Sequence, residues 1–179
     1  MMKRYRLLLL WVLLLGIAVG AVLLFGKVET VGEHYDVHPD EIPEGSPAVY
    51  LSIDCLTLRD QVDSLDERVR NLLPDGLIYL PETAFLFREG MTAFDLLLRA
   101  ERLARLRIDY SGLPGAYYVR SINDLAEFSV GEESGWVVLV NGEWINKSSA
   151  AVTLSPGDVV KWRYTASYGD ILPAELIGD

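Results

Sequence analysis

The sequence predicts an α+β domain: a mixed β-sheet with one helix packed across it and a second helix inserted among its first strands, preceded by a single N-terminal transmembrane helix. Three observations carry this. Leu7–Phe25 is an uncharged apolar run of 19 residues behind a basic head. Two stretches, 57–72 and 93–106, repeat apolar residues at helical spacing. Most of the remainder alternates apolar and polar residues between turns rich in Gly, Pro and Asn. The resulting order is strand, inserted helix, strand, helix and then a run of strands, which suggests a β-grasp-like module.

The N-terminal run would span about 28 Å as a helix, close to the hydrocarbon thickness of a bilayer. Lys3, Arg4 and Arg6 precede it, whereas Glu29, Glu33, Asp36, Asp40 and Glu41 follow. The positive-inside rule therefore puts the N-terminus in the cytoplasm and the rest outside, as a single-pass protein of the cell membrane. A cleaved signal peptide competes, since Ala18-Val19-Gly20 is a passable site, but cutting there leaves an apolar new terminus. Residues 1–26 are thus read as the anchor or uncleaved signal, 27–47 as an extracellular tether, 48–168 as the folded domain and 169–179 as a tail. The tether is acidic and carries Pro39, Pro43, Gly45 and Pro47. It also holds both histidines, His34 and His38. Pro39 biases His38 away from helical geometry, so their i,i+4 spacing is read as solvated linker rather than as a metal site.

Within the domain, Ala48–Asp54 is a period-two strand. Thr57 and Asp60 resemble a capping box opening a helix with Leu58, Val62, Leu65, Val69 and Leu72 on one face, ended by Pro74-Asp75-Gly76. Ile78–Leu80 and Ala84–Arg88 read as two short strands separated by Pro81-Glu82. The second helix, Ala93–Leu106, has Thr92 as N-cap and Asp95 three positions on. Phe94, Leu97, Leu98, Ala100 and Ala104 should face the sheet, and Arg99, Arg102 and Arg105 the solvent. Ile108–Tyr110 and Tyr117–Ser121 are strands around the Ser111–Gly115 turn. Trp136–Val140 and Glu143–Ile145 form a hairpin about Asn141-Gly142, the residue pair that a type I′ turn favours. Leu154–Asp158 turns the chain into a closing strand, Val159–Tyr164.

Composition narrows the function. Residues 1–27 hold four of the 16 basic side chains and none of the 26 acidic ones, which leaves a net charge near −14 on the remainder. So acidic a surface argues against nucleic acid, which cationic side chains must neutralise. No catalytic or phosphate-binding motif is present, and the predicted domain has no histidine to act as a base near neutral pH. The reading is that the protein is not an enzyme and carries no cofactor or metal. Cys55, the single cysteine, sits at a strand end and is expected to be buried. The aromatic residues are the functional lead. Alternation must place some of Trp136, Trp162 and Tyr164 in the core, whereas Trp144, just past the Asn-Gly turn, should be less covered. Trp136, Asn141 and Trp144 are the candidate ligand-binding residues.

The segments AVYLSIDC, DGLIYLPET, EGMTAFDLLLRA, YYVRSINDLAEF, GEESGWVVLVNGEWINKSS and LSPGDVVKWRYT, in this order, resemble a family. It is a domain of unknown function, named for its similarity to the C-terminal domain of transcobalamin and found in exported or membrane-anchored proteins of Gram-positive bacteria. The resemblance implies a β-grasp-like fold and a small-molecule, corrinoid-like ligand. The family pattern carries four cysteines, at the positions of Cys55, Val130, Ser149 and Ala166. Only the first is kept, so the resemblance implies that Cys55, whose usual partner position is Ala166, is unpaired. The expected function is a membrane-anchored extracellular binding module for such a ligand or for a cell-surface protein. The alternative is a structural or adhesive envelope domain that recognises protein or wall polymer.

Overall fold

A computed structural model describes residues 42–167 and 170. The expected transmembrane helix and all but the last residues of the tether lie outside them, as do both histidines and nearly all of the tail. Among the described residues no helix is long and apolar enough to cross a membrane. The fold is a mixed α+β arrangement, as expected, but with two sheets rather than one.

The larger sheet has five strands. β1 (Ala48–Asp54) and β8 (Val159–Thr165) lie side by side in parallel, with Leu51 opposite Val160 and Ile53 opposite Trp162. β2 (Ile78–Leu86) flanks β1 as one edge. β6 (Gly135–Val140) runs antiparallel to β8, and β7 (Glu143–Trp144) forms the other edge. The order is therefore β2-β1-β8-β6-β7. Opposed residues share a face, so Val49, Leu51, Ile53, Trp136, Val138, Val160, Trp162 and Tyr164 line one side, and all are buried in a single cluster. β2 corrects the two-strand reading of 78–88. It is one strand whose register shifts opposite Ser52, where Pro81 and Glu82 bulge out. An edge strand tolerates this because proline's missing N–H faces away from the ladder.

The smaller sheet is a meander of β3 (Ile108–Leu113), β4 (Ala116–Ile122) and β5 (Leu125–Ala126). Its second turn, Asn123-Asp124, has φ of 48° and 65°, and its first closes so tightly that a Cβ on Gly112 would lie 2.3 Å from the Ala116 carbonyl oxygen. Glycine is required there.

The expected helix over 57–72 is the main departure. A 3₁₀ segment runs from Leu56 to Ser64, and a single α turn, α1 (Glu67–Arg70), follows a break at extended Leu65. Thr57 does not cap it; its hydroxyl donates to the Tyr164 carbonyl at 2.5 Å. Asp66 instead caps the later turn by accepting from the Arg68 amide. The break falls where Asp66 offers a second local cap, and Thr57, the expected first cap, gives its hydroxyl to a tertiary acceptor instead.

α2 (Ala93–Ala104) has the expected capping box between Thr92 and Asp95 and ends at Arg105 in the left-handed region. Phe94 stacks on Tyr117 at 4.7 Å and meets Tyr110 edge-on at 4.9 Å. Leu96, not singled out from the spacing, is fully buried, while Leu98 is only partly so. Arg99 also corrects the reading: it is 6% exposed rather than on the solvent face. Its Nη1 donates to the Leu86 carbonyl at 2.7 Å, and its guanidinium lies 5.7 Å from the Phe85 ring centroid. An arginine stem packs well along apolar surface once its head finds an acceptor.

A candidate ligand groove between β4 and β6

The Asn141-Gly142 turn forms as expected, with φ of 54° and 85°. Asn141 serves it directly. Its Oδ1 accepts from the Val159 amide at 2.9 Å and its Nδ2 donates to Asp158 Oδ1 at 2.8 Å, which ties the hairpin to the start of β8. The hairpin splays early. Past Trp144 only the Ile145 amide still donates to β6, at the Val138 carbonyl, and the chain then swings to β4, where Ser148 Oγ donates to the Tyr117 carbonyl at 2.8 Å.

This divergence opens a groove of about 450 Å³. Ala116–Val119 of β4 form one side, Gly135–Val138 of β6 the other, and residues 144–149 close an end. Trp144, half-buried, lines it, as do Tyr118 and Phe128, which are 52% and 62% exposed. Phe128 has φ of 62°, an unusual value for a bulky side chain, and its amide donates to the Ser134 carbonyl at 2.8 Å. Tyr118 donates to Glu127 Oε2 at 2.5 Å. Strained, well-held residues gather at ligand sites more often than elsewhere.

Of the three candidate residues, Trp136 and Trp144 line the groove and Asn141 does not. Trp136 is also a core residue, 8% exposed. Its Nε1 donates to the Leu125 carbonyl at 2.8 Å, and its ring lies 5.3 Å from Tyr164 and 5.9 Å from Tyr79. Trp162, 4% exposed, also lines the groove, and its Nε1 has no acceptor among the described residues. Phe128 was not singled out from the sequence. Its only signal there is an aromatic residue directly before a polar, glycine-containing loop.

Cys55 is free and fully buried, as its position suggested. Burial, and then the neighbouring Asp54 carboxylate, push its thiol up to about 12 from 9.0. The unfolded chain therefore sheds this proton first, and the stability it contributes is complete below pH 9 and lost as pH rises toward 12. Burial raises Tyr79 and Tyr164 from 10.0 and acts in the same direction. Urea midpoints should fall steadily above pH 9, with a shallower fall in Cys55→Ala. At pH 8 a thiol reagent should modify Cys55 only as fast as the domain unfolds.

Among the described residues no group of three or more His, Cys, Asp or Glu is placed to hold a metal ion.

Residues 90–166, less than half of the chain, match a family described as a domain of unknown function, DUF4430. No curated protein matches the chain. A solved structure from Ruminococcus gnavus, described as a "putative metal binding protein", is similar at 14% identity with a TM-score of 0.40, over 69% of this chain and 100% of that one. The matched region runs from the turn before α2 through β8, so it takes in both long walls of the groove.

Proposed function

We propose that this chain is a non-enzymatic binding module, held at the membrane by Leu7–Phe25 with its folded domain outside the cell, and that the groove between β4 and β6 is its contact surface. The observation that carries this is the groove itself, walled by Trp144, Tyr118 and Phe128 rather than closed by them. Its volume falls in the range of small-molecule sites. The strand order β2-β1-β8-β6-β7 with its parallel central pair supports a β-grasp-like frame. The likeness to the transcobalamin C-terminal domain belongs to this reading and rests on the sequence motifs alone. A corrinoid is the small molecule that likeness suggests. The structural-domain alternative draws its support from Trp136, Trp162 and Tyr164, which all pack in one core.

The test is a thermal titration of the full chain in detergent micelles with cobalamin and cobinamide, followed by a small-molecule panel. A ligand of the groove should raise the melting temperature with concentration. Trp144→Ala should abolish that rise while lowering the unliganded stability by only about 1 kcal/mol, because its side chain is half-buried. A rise unchanged in Trp144→Ala and in Phe128→Ala would move binding away from the groove.

A further inference from the structure

Strand alternation fixes which way the backbone of β6 points. The Asn141 amide donates to the Val159 carbonyl on the β8 side, whereas the Val138 carbonyl accepts from Ile145 on the β7 side. Residues two apart share a direction, so the N–H and C=O of Trp136 also point outward, away from β8. β7 pairs only with Leu139 and Val140, and past Ile145 the chain has left for β4. Among the described residues no backbone group meets Trp136 on that side. This open edge is not on the bare surface. It forms one wall of the groove.

Exposed edges are normally blunted by lysine, proline or an inward charge. Gly135-Trp136-Val137-Val138 has none of these. Trp162, which also lines the groove, is buried and carries an indole N–H that meets no acceptor among the described residues. One donor and one acceptor on the same residue at strand geometry, with apolar and aromatic side chains on either hand, are what an added strand satisfies.

We propose that the groove takes an extended segment of a partner protein, which adds to the outer edge of β6 as a further strand. This rests on the reading of the groove as the binding site and names its occupant. Four residues along β6 correspond to about 13 Å of extended chain, enough to seat four residues of the partner. The net charge of −10 favours a neutral or basic segment over an acidic one. Its backbone would pair with Trp136, alternate side chains would lie against Tyr118, Phe128 and Trp144, and a carbonyl would be available to Trp162.

The experiment uses the full chain in detergent micelles. Peptides selected from a randomised decapeptide library are synthesised with and without backbone N-methylation, and amide hydrogen exchange is read residue by residue. The unmethylated peptides should slow exchange at the Trp136 amide by about tenfold, and the methylated ones should not, since methylation removes the donors a strand needs. Phe128→Ala should weaken the same peptides and leave the fold intact, because that side chain is exposed. If selection yields no binder, if binders leave Trp136 exchange unchanged, or if methylation makes no difference, strand addition is wrong. Small molecules that perturb Trp144 and Phe128 while no peptide protects Trp136 would keep the groove as a site and overturn its peptide occupant. If neither class perturbs the groove, both readings fall.

Discussion

Trp136→Ala should destabilise the domain by about 4 kcal/mol, a drop in melting temperature on the order of 10–20 °C. The indole joins four strands. It sits on β6, donates to the Leu125 carbonyl of β5, and packs against Tyr164 of β8 and Tyr79 of β2. Truncation leaves a cavity among these rings and also strands a carbonyl that the side chain had satisfied. Trp136→Phe separates the two effects. It keeps a ring against Tyr164 and Tyr79 but loses the N–H, and should cost about 1–2 kcal/mol. Urea denaturation of the three proteins measures both. If Trp136→Ala cost less than 1 kcal/mol while abolishing ligand binding, Trp136 would be a contact residue first and a core residue second.

The second large effect is expected at Asp54, where Arg163 donates through Nε to Oδ1 at 2.7 Å and through Nη2 to Oδ2 at 3.0 Å. The two residues face each other across the parallel β1–β8 pair, on the side of the sheet opposite Trp162. The Asp54 side chain is 5% exposed and that of Arg163 24%, and the bond to Asp54 holds the guanidinium above its ordinary value. Asp54→Ala should cost about 2–3 kcal/mol. That is below the usual figure for breaking a fully buried pair, because water still reaches Arg163. The Asp54→Ala, Arg163→Met double variant should recover most of the loss, since no charge is then left unpaired, and a double-mutant cycle gives the coupling directly. Adding 1 M salt should change the wild-type cost little. A single-variant cost under 0.5 kcal/mol would place this bridge with ordinary surface pairs.

What the sequence by itself determined is what depends on near neighbours along the chain. Alternation marked β1, β6 and β8, Asn141-Gly142 marked the hairpin, and Thr92 with Asp95 marked the start of α2, because each is a contest settled within a few residues. Cys55 was legible as a buried residue for the same reason. Only the tertiary structure decided what depends on partners far away. Thr57 gives its hydroxyl to a carbonyl 107 positions on instead of to the cap its own neighbours favoured. Arg99 is buried because the end of β2 offers it an acceptor, although helical spacing alone assigns it to solvent. β1 lies beside β8 across the whole domain, and no local pattern states that pairing. The groove belongs to this second kind. Trp144 could be suspected from its place beside a turn, but a groove exists only where β7 stops short and β4 of another sheet stands opposite β6, and no residue of one wall carries information about the other.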